Sequence, residues 1–451
     1  MKWSRYIIVT DVFDAYKLAY NTLTDSLTLL SGKLVNSNKL SETEKQILYA
    51  QGCIVNDAID ELEICRFRNR RQRFCDSQTH IFLTTTNLCN CACKYCFADG
   101  VFPEHSMSIA DLDIIENFVK KQLVINHSNK LCVDFFGGEP FLNEAFYTNV
   151  IERLNNIAQK SNITFYYQFY TNGTITPKVG FNFFKKYPNC NFIVTIDGTK
   201  SVHDNLRPLK NKNSAFDEIV RNTKNLLDLG LNVTFRVNFG LDNYLSVSDL
   251  FEQLHSLNLS NVPIDFIPVQ HLTKECASYD KAVPPEKLYD MNKYLWGKAL
   301  EYNVKINVRP RSSNVYCSAF CYSTFIIDPD LDVFKCAILQ CDKKYKIGNL
   351  KSYNPTESNS EYYRWMNYDP TLHPQCSKCP SLPACAGGCA GSGTFRHGDY
   401  TLPNCYENTP KILKLRIKTY FEYKYKKQVE KYLEANKQEA LILEKARFMY
   451  V

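Results

Sequence analysis

Hydrophobic and polar positions divide the chain into stretches of different period. Between residues 6 and 32 three short β-rich runs, YIIVTDVF, AYKLAYNTL and DSLTLLSG, are punctuated by Asp, Asn and Gly and predict three strands. SETEKQILYAQG follows with a capping-box start, Ser41 to Glu44, and helical apolar spacing; a further helix is predicted over Asn56–Leu62. From residue 81 apolar runs alternate with amphipathic stretches. Strands are predicted at HIFLTTT, LCVDFF, TFYYQFY, NFIVTIDG, NVTFRVNF and VPIDFIPV. Helices are predicted at Ser108–His127, Glu144–Lys160, Ala215–Leu229 and Val247–Leu257. Strand–helix alternation implies a parallel sheet, and six units suit a partial (β/α)6, TIM-like barrel with its chemistry at the carboxyl ends of the strands. Helix Pro285–Tyr302 connects to a Cys-rich segment, and a Lys-rich helix is predicted over Pro410–Arg447. The expected organisation is α/β: a small α+β domain over 1–80, a barrel core over 81–310, a Cys-rich domain over 311–409 and a basic helix over 410–451.

Composition narrows the class. The 451 residues are 45% hydrophobic and 13% aromatic, enough for a sizeable core. No apolar run approaches the roughly 20 residues of a membrane span, and MKWSRYIIVT is too polar for an export signal. The 19 cysteines gather in C-x2-C and C-x3-C clusters, which implies metal ligation in a reducing cytoplasm rather than disulfides. A net charge of +7 admits an acidic partner without calling for nucleic acid. The sharpest basic run, CRFRNRRQRF at 65–74, reads as a solvated face or as a docking strip for an acidic peptide.

The candidate chemistry begins at TNLCNCACKYCF, residues 86–97. Cys89, Cys93 and Cys96 stand in C-x3-C-x2-C spacing. Three soft thiolates on one loop can hold three irons of a cubane and leave the fourth open to a ligand; the alternative is a zinc loop or merely Cys-rich sequence. Cys91 fits neither spacing and reads as a bystander. The loop resembles the cluster-binding loop of the radical S-adenosylmethionine (SAM) enzymes. In that family GGEP after the second strand meets the SAM amino group, a role that falls here on Gly138 and Glu139, beside Gly137. VTIDGTKSVHDNLRP (194–208) resembles the fourth-strand motif of the SPASM subgroup, with Thr195 in the usual Ser position. The resemblance assigns SAM contacts to Tyr95, Thr195 and Arg207, and leaves Asp197 and His203 structural.

The Cys-rich segment resembles the SPASM domain, which holds auxiliary 4Fe–4S clusters. By that resemblance Cys317, Cys321, Cys336 and Cys389 bind one cluster, and Cys376, Cys379, Cys385 and Cys405 bind another. A zinc ribbon would need four thiolates, not eight. Leu331 stands where the family usually has Gly. Of the remaining eight cysteines, Cys53, Cys65, Cys75, Cys91, Cys132, Cys190 and Cys276 are expected to be buried or incidental, and Cys341 is a candidate extra near the auxiliary region.

The resemblance spans about residues 81–405. It implies three 4Fe–4S clusters, SAM, a 5′-deoxyadenosyl radical, a peptide or protein substrate, and a reductant such as flavodoxin or ferredoxin. Two readings of the reaction compete. One is a maturase of a ribosomally made peptide, forming a thioether or carbon–carbon crosslink as ranthipeptide and sactipeptide maturases do. The other is an anaerobic sulfatase-maturating enzyme forming formylglycine. That enzyme usually has an Asp base where this chain has Ala337, and it usually begins close to its first cluster, whereas 80 residues precede this one. Both departures favour crosslinking. Residues 1–80 then read as a leader-peptide recognition unit or as a brace. A non-catalytic metal scaffold is the reading from another class, and it has no need of the SAM-side motifs.

Overall fold

Residues 7–31 fold as an antiparallel meander of β1 (Ile7–Phe13), β2 (Tyr16–Asn21) and β3 (Ser26–Ser31). Helix α1 (Glu42–Ala50) starts at the Ser41–Glu44 capping box, with both reciprocal bonds made. The second helix differs from the expectation over Asn56–Leu62. Asn56 makes a local turn, its side chain accepting from the Ala58 amide, and Asp60 caps α2 (Glu61–Arg73). The structure, a computed structural model, describes residues 1–13, 15–36, 40–75, 77–98, 100–273, 275–310, 317–352, 359–407, 409–435 and 440–446.

The basic run therefore lies on α2, with Phe67, Arg71 and Gln72 on a solvated face and the opposite face turned to the Cys-rich segment. Buried Arg73 donates to the carbonyls of Phe320 (3.1 Å), Trp365 (3.1 Å), Met366 (3.0 Å) and Tyr368. Trp365 and Met366 belong to the last turn of helix Ser360–Asn367, whose carbonyls have no partner within the helix, so Arg73 closes it from another part of the chain. Arg70 pairs with Asp369 at 3.2 Å, and Arg66 donates to Thr371 Oγ1 at 3.0 Å. The helix is a staple onto the Cys-rich segment.

The six apolar runs form parallel strands: β4 (Gln78–Thr86), β5 (Lys130–Gly137), β6 (Thr164–Thr171), β7 (Cys190–Thr195), β8 (Asn232–Phe239) and β9 (Ile264–Pro268). Between β5 and β6 runs α3 (Glu144–Lys160). Ile81, Val133 and Tyr167 stand in register across β4–β6, and every second side chain there is sealed from solvent. Phe135, Phe169 and Phe192 stack beneath Tyr147 of α3. Each such ring contributes about 1.5–3 kcal/mol by leaving water. The opposite face is polar: Asp134 accepts from Gln168 Nε2 at 2.9 Å and lies 3.2 Å from His80 Nε2.

A seventh parallel strand, β10 (Thr324–Ile327), pairs with the outer side of β4, and β11 (Asp332–Phe334) and β12 (Gly348–Asn349) extend that edge antiparallel. The resulting nine-stranded sheet has the order β9-β8-β7-β6-β5-β4-β10-β11-β12. It carries the Cys-rich segment directly beside the strand that feeds the first thiol loop.

The helix expected over Pro410–Arg447 is not one element. Helices α4 (Pro410–Lys424) and α5 (Lys426–Ala435) are followed by β13 (Ala440–Glu444), which pairs antiparallel with β3 and closes the N-terminal sheet. Glu444 anchors the strand, accepting from Arg309 Nη2 (2.6 Å), Tyr420 OH (2.5 Å) and Tyr425 OH (2.9 Å), and Arg309 also reaches Asp25 at 3.1 Å. Among the described residues no helix is long and apolar enough to cross a membrane.

Because Arg73 satisfies carbonyls that water cannot reach, Arg73→Met is expected to destabilise the fold by about 3 kcal/mol. Arg71→Met, on the exposed side of α2, should stay within about 0.5 kcal/mol. Urea-unfolding midpoints of the two variants check the contrast.

Candidate active site at the carboxyl ends of the strands

The loop that leaves β4 is laced to β5 by backbone. Gly138 N donates to Thr86 O and Glu139 N to Leu88 O, each at 2.9 Å. Gly137 has φ +137°, and a Cβ there would stand 2.2 Å from Thr86 O; a Cβ on Gly138 would stand 2.3 Å from Leu88 O. The two glycines are required for that approach, which sets the entry of the Cys89–Cys96 loop. Glu139 is fully buried. It accepts from Phe141 N (3.1 Å), Thr171 Oγ1 (2.7 Å) and Asn172 N (2.7 Å), and burial nevertheless pushes its pKa up to about 7. Asn172 in turn donates to Asn90 Oδ1 at 2.7 Å and reaches Cys89 Sγ at 3.9 Å. Asn172, just past the end of β6, and the loop's Asn90 thus join β6 to the thiol loop.

The far side of the loop is stitched to residues 206–210. Ala92 N donates to Pro208 O (2.9 Å), Lys94 N to Leu206 O (3.0 Å) and Lys210 N to Asn90 O (2.9 Å). Cys91, which fits neither thiol spacing, is engaged locally: its thiol bonds both Cys89 and Cys93, holding Cys89 down at about 6 and lowering Cys93, while its own pKa rises. Burial pushes Cys96 up to about 11.

Arg207 enters beside Cys93. Its Nη1 donates to Tyr95 OH at 2.8 Å, Tyr95 OH bonds Asp197 Oδ2, and the guanidinium lies 3.8 Å from that carboxylate. Asn238, at the end of β8, donates to Tyr95 OH (3.1 Å) and to Asp197 Oδ1 (2.8 Å). Burial and, second, Arg207 hold His203 down at about 3, so it is neutral and its Nδ1 accepts from Asp197 N at 3.1 Å. His203 is thus a structural acceptor. Thr195 closes β7 two residues before Asp197 and is buried. Arg207 Nε is buried with no hydrogen-bond partner among the described residues.

The C-terminal thiols interact in two sets. Cys317 acts electrostatically on Cys336 and Cys389, and Cys321 acts on Cys317. Cys376, Cys379 and Cys405 all act on Cys385. A sharp turn separates Cys385 from Cys389: Ala386, Gly387 and Gly388 have φ of 42°, 90° and 85°. A Cβ on Gly388 would lie 2.3 Å from Asn404 O. Two cysteines four residues apart thereby face different sets. Leu331 holds φ +63°, the left-handed turn that favours Gly. Of the remaining thiols, Cys53, Cys65, Cys132, Cys190 and Cys276 are buried, Cys75 is exposed and Cys341 half-buried.

The spacing bears on which metal fits. Tetrahedral zinc at about 2.3 Å brings its sulfurs to about 3.8 Å of one another. Among the described residues no three thiols lie mutually within 4.8 Å; the one set that compact is Asp328, Asp330 and Asp332. Lys343 Nζ occupies that set, at 2.8, 3.2 and 2.7 Å. By number and donor type, three thiols on one loop and two sets of four suit multi-iron cores, and the orphaned Arg207 Nε beside the first set suits a polar ligand there.

The family model for the radical SAM superfamily matches residues 83–254. The chain is 26% identical over 329 residues to a cysteine-type anaerobic sulfatase-maturating enzyme of Clostridium novyi (strain NT), covering 67% of this chain and 84% of that protein. It is 27% identical over 259 residues to the radical SAM cyclopropyl synthase TigE of Paramaledivibacter caminithermalis, covering 45% and 53%. Among solved structures, native anSMEcpe with bound AdoMet and Cp18Cys peptide superposes with TM-score 0.61 at 18% identity, over 80% of this chain and 99% of that one. Streptococcus suis SuiB bound to precursor peptide SuiA gives 0.55 at 11%, over 90% and 99%. Family match, sheet order and thiol loop agree: the chain carries a radical SAM domain and is an enzyme of that superfamily.

Proposed function

We propose that Cys89, Cys93 and Cys96 hold a 4Fe–4S cluster with one iron open to SAM. In this reading a SPASM-type region holds two further clusters, one on Cys317, Cys321, Cys336 and Cys389, the other on Cys376, Cys379, Cys385 and Cys405. The observation that carries it is the grouping of the thiols, three on the first loop and two sets of four in the Cys-rich segment around β10. When bound, the SAM-ligating cluster supplies one electron that cleaves SAM to methionine and a 5′-deoxyadenosyl radical, which takes a hydrogen atom from the substrate. The protein's part is placement. Arg207, held by Tyr95 and Asp197, offers Nε to the SAM carboxylate, with Thr195 beside it on the ribose side. Gly137 and Gly138 keep the backbone close, and Glu139 retains acceptor capacity for the SAM amine.

The substrate of this reading is a ribosomally made peptide in which a thioether or carbon–carbon crosslink forms. Ala337 at the position of the usual Asp base, and the 80 residues before the first thiol loop, support crosslinking over formylglycine formation. The meander and helices of residues 7–73 are the proposed leader-peptide unit. The second reading, formylglycine formation, is favoured by the likeness to a sulfatase-maturating enzyme over 84% of its length. A flavodoxin or ferredoxin in a reducing cytoplasm is the proposed electron source.

Anaerobically reconstituted protein is expected to hold about twelve irons with matching sulfide and to release 5′-deoxyadenosine from SAM under reductant. Cys89→Ala/Cys93→Ala/Cys96→Ala should lose about four irons and all cleavage, while Cys91→Ala keeps its iron. Zinc in place of iron would sink the reading. Mass spectrometry of a treated Cys-containing peptide separates the reactions: a crosslinked product is lighter by two hydrogens and inert to hydrazide probes, whereas formylglycine is an aldehyde that they capture.

A further inference from the structure

Lys335 stands between β11 and Cys336 and is 1% exposed. Its Nζ donates to the carbonyls of Cys321 and Thr324, each at 2.5 Å, and lies 5.2 Å from the ring of Phe325 and 6.0 Å from that of Tyr362. Among the described residues no carboxylate pairs with it. The ionisable groups that act on it are Cys321, Cys317 and a second buried cation, Arg73. Two carbonyls and two rings ease a buried ammonium but do not neutralise it, and removing an ammonium from water costs several kcal/mol unless an anion accompanies it. With two cations and, among the described residues, no acid beside them, the pocket is arranged for an anion that the thiols themselves help to form.

We propose that Lys335 is the built-in counter-charge of the cluster held by Cys317, Cys321, Cys336 and Cys389, and that it positions Cys321 through that residue's own carbonyl. The proposal rests on the cluster reading above. An iron–sulfur core with four thiolates is a net anion, more negative when reduced, so a fixed neighbouring cation favours the reduced form and raises the potential. Lys335 touches no substrate; it is a positioning and charge-setting residue.

The test uses the full-length reconstituted chain as wild type, Lys335→Met and Lys335→Arg, read by iron content and by redox titration monitored by electron paramagnetic resonance. The signal of this cluster is identified by its loss in Cys317→Ala. Lys335→Met is expected to shift that cluster's potential downward and leave the other two in place, while Lys335→Arg stays near wild type. Loss of this cluster's iron from Lys335→Met but not from Lys335→Arg also supports the charge. An unmoved potential in iron-replete Lys335→Met overturns it, as does equal iron loss from both variants, which would leave Lys335 a packing role. Wild-type protein without Cys317-dependent iron overturns the cluster reading and the inference together.

Discussion

Everything at the reactive end of the sheet hangs on a backbone approach that only two glycines permit. Gly138 and Glu139 donate to Thr86 and Leu88 across a gap with no room for a Cβ, which fixes where the first thiol loop leaves its strand. Glu139 then ties that junction to β6 through Thr171 and Asn172, and Asn172 reaches back to the loop. Three strand ends are joined by one buried carboxylate, so the thiols, Tyr95 and Arg207 are set by rigid sheet rather than by the loop's own preferences.

The same device recurs in the Cys-rich segment with another outcome. There Gly387 and Gly388 reverse the chain between Cys385 and Cys389 and assign them to separate thiol sets. The segment is held on the sheet by β10 beside β4 and from outside by Arg73, whose guanidinium closes a helix to which it does not belong. Lys335 completes the arrangement from within. Two of the charges in this region, Arg73 and Lys335, are spent inward on backbone carbonyls, while Arg70 and Arg71 of the same basic stretch stay at the surface.

The parts legible in the sequence were those governed by local periodicity and by spacing. Six apolar runs and their intervening helices announced the parallel sheet because strand and helix periods are short-range properties. The thiol loop and GGEP could be read because their residue types leave few other uses. What was missed depends on partners distant in the chain. Asn56 competes for its own backbone and delays α2 to Asp60, and the Arg residues of α2 meet their carbonyls far along the chain. Ala440–Glu444 is a strand because β3 offers an edge and Arg309 offers a charge; its own residues also suit a helix. Cys91, Asn90 and Asn172 carried no spacing signal, since their roles arise only once β6 stands beside the loop.

The closure of the N-terminal sheet by β13 bears on how the chain is made. β1, β2 and β3 leave the ribosome early, yet the edge of β3 has no strand beside it until residues 440–444 have been synthesised. During translation of the intervening sheet and Cys-rich segment, that open edge is a template for other nascent chains. Synthesis of this protein therefore has a long interval in which its first-made sheet needs shielding, and the interval ends when Glu444 meets Arg309.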